Sequence, residues 1–235
     1  MSLQASNIIH IIFPCLCFPV CLIFAALHGQ RYGYDRKKAV IYTGIVLAIA
    51  ALFTYASQWV CSWLGYRIHL NSYRSALFIP LFTWMFSRIW KIPALNGADF
   101  VIPSIFFARA TIMIGCNIVG CATAIPCDWG PYSLNMGCRV FPVDLIDCVS
   151  SMVLGILAMI YARKLNYKGD GRIYAFAMYT LGIVRLFLQF GSRESWFGIR
   201  GFNDESVYSI IAMIMAIFIY HRNDQEKNVN YQNKE

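Results

Sequence analysis

Charge is scarce in this chain. Asp, Glu, Lys and Arg make up 14% of its 235 residues, against 58% hydrophobic residues, where a soluble domain carries nearer a quarter charged. That shortage excludes an ordinary water-soluble protein and points to an integral membrane one. Histidine is sparse too. His10, His28, His69 and His221 are scattered, with no pair at helical spacing, so no metal site is expected. No basic segment precedes the first apolar stretch, which therefore reads as a retained span rather than a signal peptide. No cofactor is expected.

What the chain does have is long apolar runs. Seven can be marked: Ile8–His28, Ala39–Leu64, Ser75–Trp90, Ala98–Pro126, Val140–Ala162, Ile173–Phe190 and Ser206–Tyr220. About 20 apolar residues cross the roughly 30 Å hydrocarbon layer as a helix, so the fold class expected is an all-α polytopic bundle of about seven helices. The third and seventh runs are short for that task. Residues 1–222 form one transmembrane domain on this reading, and 223–235 a polar tail expected to be disordered.

The net charge of +8 has a topological cause. Connectors after runs one, three and five, plus the tail, hold thirteen Lys and Arg; the opposite side holds five, all arginine. By the positive-inside rule the N-terminus lies outside and the C-terminus in the cytoplasm. The basicity is a membrane signal, and no nucleic-acid partner is expected.

That topology brings polar residues to one depth, where lipid makes them costly and hence informative. Gly115, Cys116, Asn117, Gly120 and Cys121 fall in the outer half of run four. Asp144, Asp147 and Ser151 share a face at the outer end of run five, at i, i+3 and i+7. Arg185 and Gln189 stand one turn apart in run six, with Gly182 on the same face. Tyr73, Arg74, Arg139 and Arg193 sit at the outer mouth. Bland readings compete: an Arg185 ion pair with Asp144 or Asp147, glycines that let helices approach, and outer arginines that reach to headgroups. Asp99, at the start of run four, is expected to cap that helix. Arg109 lies at depth in run four.

The cysteines divide by position. Cys15, Cys17 and Cys21 fall within run one as small apolar residues. Cys127 and Cys138 sit in the outer connector, where a disulfide is a candidate. Cys116 and Cys121 are five apart, about 140° around a helix, so they form neither a dithiol pair nor a zinc site.

The run Asn96-Gly-Ala-Asp-Phe…Ile114-Gly-Cys-Asn-Ile-Val-Gly-Cys121 resembles the signature span of the prolipoprotein diacylglyceryl transferases, Gly-Arg-x-Gly-Cys-Phe-x-x-Gly-Cys-Cys. Phe141-Pro-Val-Asp-Leu-Ile-Asp147 is similar to that family's Pro-Thr-Gln-Leu-Tyr-Glu. Tyr179-Thr-Leu-Gly-Ile-Val-Arg185-Leu-Phe-Leu-Gln189, with Arg193, resembles its Gly-x-x-Arg-Phe-x-x-Glu-x-x-Arg. The likeness covers roughly residues 96–220. It departs at Met113, where the family carries its signature arginine. Arg109 lies one turn earlier, and its side chain leans toward the helix N-terminus, away from that place. The family's His-Gly-Gly is absent, and Tyr73-Arg74-Ser75 stands there.

The resemblance implies a plasma-membrane enzyme that moves a diacylglyceryl group from phosphatidylglycerol to a cysteine thiol of a precursor protein or peptide. The implied catalytic residues are Arg185, Asp147, Asp144 and Tyr73, with a carboxylate as base and arginine for phosphate charge. Asn117, Gln189, Arg193, Arg74, Arg139, Gly115, Gly120 and Cys116 are the implied substrate-binding set. The alternative is a degenerate relative that binds phospholipid or a partner without turnover.

Overall fold

A computed structural model describes residues 3–63, 76–120, 122–192, 195–196, 199–200 and 202–232. Among them the helices are α1 (Leu3–Arg31), α2 (Arg36–Trp63), α3 (Ile79–Trp90), α4 (Ala94–Val119), α5 (Val143–Lys164), α6 (Arg172–Gln189) and α7 (Asp204–Gln232). Two short antiparallel hairpins complete the list: β1 (Tyr132–Ser133) with β2 (Cys138–Arg139), and β3 (Ser195–Trp196) with β4 (Ile199–Arg200). Helix is the form such sequences must take, because lipid offers backbone amides no partner and only a helix or closed barrel satisfies them internally.

By length and composition five helical stretches suffice to cross a membrane: Ile11–Arg31, Arg36–Trp63, Ala94–Val119, Val143–Lys164 and Asp204–Arg222. α3, at 12 residues, spans only about 18 Å. α4 is the hub. It packs against α1, α3, α5 and α6, and half of its apolar window is buried, compared with 22–33% for the other four. Outward faces carry large apolar side chains such as Leu52, Val153, Ile156, Phe187 and Phe218, as lipid contact requires.

Local chemistry sets the helix ends. Asp35 accepts hydrogen bonds from the Lys37 and Lys38 amides at the start of α2. α4 stops at Gly120, whose φ of 71° is left-handed, so the apolar run expected to reach Pro126 is cut short. Residues beyond it turn into bridges instead, Ala124 with Ser192 and Pro126 with Val140. The first of these, with the Ile125 amide donating to Gly191 O at 3.0 Å, ties the α4–α5 connector to the α6–α7 connector, while the second closes the α4–α5 connector on itself. This is the hairpin end of the bundle.

At the opposite, basic end, Asp99 does not cap its own helix. Its carboxylate accepts the amides of Gly171 and Tyr174, both at 2.8 Å, and so caps α6 from a neighbouring helix. The carboxylate there meets the positive end of the α6 dipole. Burial, with Asp99 adding to it, pushes the nearby Tyr32 hydroxyl above the usual phenol range; burial alone does the same for Tyr34.

Candidate functional site

Four helices deliver a connected set of polar side chains toward the hairpin end. Arg109 of α4 grips Asp147 of α5 with two bonds, Nη2 to Oδ2 at 2.6 Å and Nε to Oδ1 at 3.3 Å. Arg185 of α6 donates from Nη1 to the same Asp147 Oδ2 at 2.9 Å and from Nη2 to Glu205 of α7. Gln189, one turn beyond Arg185, donates from Nε2 to Glu205 as well. Asn203 then donates from Nδ2 to Gln189 Oε1 at 2.6 Å.

Among the described residues the cluster sets two guanidiniums against two carboxylates, a balance that a low-dielectric interior favours. Exposure is graded along it. Asp147 is 1% exposed and Arg109 and Arg185 are 5%, while the Glu205 side chain is 18% exposed. Asp147 therefore sits locked between two cations, and Glu205 is where the network opens outward. The Glu205 position is set by its own helix start. Asn203 and Ser206 exchange backbone bonds, Ser206 N to Asn203 Oδ1 at 3.1 Å and Asn203 N to Ser206 Oγ at 3.4 Å, a reciprocal cap that leaves Glu205 in the first turn.

Of the residues singled out from sequence, Arg185, Asp147 and Gln189 lie inside this network. Asp144 is half-buried one turn before Asp147. Cys116 and Asn117 are half-buried near the end of α4, about 10–12 Å along the helix from Arg109. Arg139 lies on β2, exposed, and donates to Gly130 O at 3.2 Å. Gly115 and Gly182 sit at close approaches: a Cβ on Gly115 would stand 2.7 Å from the Phe13 ring, and one on Gly182 2.8 Å from Met213 Cγ. Gly120 ends α4. Tyr73, Arg74 and Arg193 lie outside the described residues. Cys127 and Cys138 are both free thiols. The candidate disulfide is absent because Cys127 stands opposite Arg139, whose carbonyl takes the Cys127 amide at 3.0 Å, one position out of register with Cys138.

Three members of the network were not singled out as site residues: Arg109, Asn203 and Glu205. Arg109 had a readable signal. Arg109 and Arg185 lie at depth within apolar runs, unlike Arg88 at the end of run three, and a low dielectric calls for a carboxylate beside each. For Arg109 that carboxylate is Asp147. Glu205 carried a weaker signal, as an acid one residue before an apolar run and inside an Asn-x-x-Ser cap. Among the described residues no group of three or more His, Cys, Asp or Glu is placed to hold a metal ion.

Two comparisons with known proteins bear on this geometry. A family model described as prolipoprotein diacylglyceryl transferase matches residues 39–222. The chain is also similar to phosphatidylglycerol–prolipoprotein diacylglyceryl transferase 2 of Clostridium perfringens (strain 13 / Type A), at 24% identity over 141 residues, covering 57% of this chain and 54% of that protein. The match thus spans about half the length of that curated relative.

Proposed function

Because this chain belongs to the prolipoprotein diacylglyceryl transferase family, we propose that it transfers a diacylglyceryl group from phosphatidylglycerol to the cysteine thiol of a precursor protein or peptide, in the plasma membrane. On this reading the hairpin end faces outward and the C-terminus is cytoplasmic, in keeping with the thirteen-to-five split of basic residues. The observation that carries the reading is the Arg109–Asp147–Arg185–Glu205 chain, which brings cations and one partly exposed carboxylate to a single depth.

The reaction asks for two things, a cation at the departing phosphate and a base for the thiol. Arg185 serves the first, since a guanidinium fork matches phosphate oxygens. Asp147 holds Arg185 from behind and so is an orienting group. Glu205 serves the second. An arriving phosphate competes with Glu205 for Arg185, and the displaced carboxylate accepts the thiol proton. Sulfur then bonds to the glycerol carbon that carries the phosphate ester. The carbon–oxygen bond breaks, and its electron pair leaves on glycerol phosphate. Gln189 and Asn117 are proposed to hydrogen-bond headgroup oxygens, with Tyr73, Arg74 and Arg193 at the mouth.

The test is direct. Purified chain in lipid, given radiolabelled phosphatidylglycerol and a cysteine-bearing lipoprotein-signal peptide, is expected to yield labelled peptide and free glycerol phosphate in equal amounts. Binding of phosphatidylglycerol with no transfer to this peptide or to neighbouring-gene peptides supports the degenerate relative instead. Met113, standing where the family has an arginine, is the residue that favours that second reading.

A further inference from the structure

A second polar feature lies near the basic end of the bundle, between α1 and α5. A cavity of about 370 Å³ is lined by Phe24, Leu27, His28, Gln30, Arg31 and Met159. His28 is 3% exposed, and neither of its ring nitrogens has a hydrogen-bond partner among the described residues. Burying an imidazole without partners is costly, so this side chain is held ready for something the protein alone does not supply. The rings of Tyr32 and Tyr167 pack edge-on against it at 5.3 and 5.8 Å, which fixes its plane. Arg31 donates from Nη1 to the Tyr167 hydroxyl at 3.0 Å, which anchors the guanidinium and leaves its other N–H groups to the rim.

The lining is graded along the helix axis. Phe24, Leu27 and Met159 are apolar, while His28, Gln30 and Arg31 lie toward the helix end. Phe24 and Arg31 are seven residues apart, about 10 Å, a distance that takes a membrane helix from hydrocarbon into the headgroup layer. Arg31 puts a cation on the rim itself, and Arg36, Lys37 and Lys38 open α2 just past the short connector and add positive charge to this end of the bundle, which favours anionic over zwitterionic headgroups.

We propose that this cavity seats an anionic phospholipid from the leaflet at the basic end, its phosphate taking N–H bonds from His28 and Arg31 and an acyl chain lying along Phe24, Leu27 and Met159. This seat is separate from the charged cluster and requires no turnover.

The experiment uses the full chain with a photocrosslinking amino acid in place of Met159, the half-buried α5 residue of the lining, with the same label at the exposed Phe218 measuring capture of bulk lipid. It is placed in vesicles of equal phosphatidylglycerol and phosphatidylcholine, and the adducts are weighed by mass spectrometry. The expected result is a preference of tenfold or more for phosphatidylglycerol, lost in both Arg31→Gln and His28→Phe. Arg31 is exposed, so its variant remains informative if His28→Phe fails to fold. Equal capture of the two lipids, or an undiminished preference in Arg31→Gln, overturns the proposal. Suppression of the adduct by soluble glycerol 3-phosphate at equal concentration also overturns it, by making a free phosphate ester the ligand.

Discussion

Asp99 and Asp147 are two buried carboxylates solved in opposite ways. Asp99, 0% exposed, is satisfied by backbone amides at the start of α6. Asp147, 1% exposed, is satisfied by guanidiniums from α4 and α6. The first arrangement is closed: it spends a charge to set where a helix begins and passes nothing on. The second continues through Arg185 to Glu205, which water or substrate can reach. Burial and charge alone do not separate architecture from chemistry; the continuation of the network to a partly exposed group does.

Substitutions can break that contrast. The largest effect is expected from Arg185→Ala, which leaves Asp147 with Arg109 alone and takes the Arg185 guanidinium from Glu205. Transfer per folded molecule should fall by about 100-fold or more, and stability by about 3–5 kcal/mol, read by peptide labelling and thermal unfolding in detergent. Full transfer in a folded Arg185→Ala protein reduces the arginine to a strut. Next comes Glu205→Gln, which keeps an acceptor for Arg185 but removes the base. Here transfer should drop about 100-fold while stability changes by about 1–2 kcal/mol. If Asp147→Asn is the more damaging of the two to rate and not to stability, the assignment of the base is reversed.

Asp99→Ala should invert the pattern. It orphans two buried amides at a cost of about 2–4 kcal/mol, yet the fraction that folds should transfer normally. A lost rate in well-folded Asp99→Ala protein would erase the distinction between the two carboxylates. The smallest effect is expected from Arg139→Gln. That side chain is exposed on β2, so stability should stay within about 0.5 kcal/mol, and KM for lipid should rise by less than about tenfold.

The helices themselves were legible in the sequence, because hydropathy reports what faces lipid and each of the seven apolar runs overlaps one helix. The meeting of Arg185 with Asp147 was legible too, since buried opposite charges in facing runs have few alternatives. Glu205 was not, because an acid at the first turn of a helix reads as a cap until its distant partners are known. Asp99 misled for the related reason that a capping residue need not belong to the helix it caps. The end of run four was hidden as well. Hydropathy continues smoothly past Gly120, and only the left-handed backbone there, closed in by the Tyr132 carbonyl, decides the turn.

The tie between the two connectors is made of main chain, Ile125 N to Gly191 O beside the Ala124–Ser192 bridge, and Phe141 N to Ile125 O braces it from within the first connector. A clasp made of peptide groups is indifferent to side-chain identity, apart from proline at position 125 or 141, which would remove a donor. Sequence in these loops is thereby free to drift between relatives while the spacing of the helix tips beneath them stays the same.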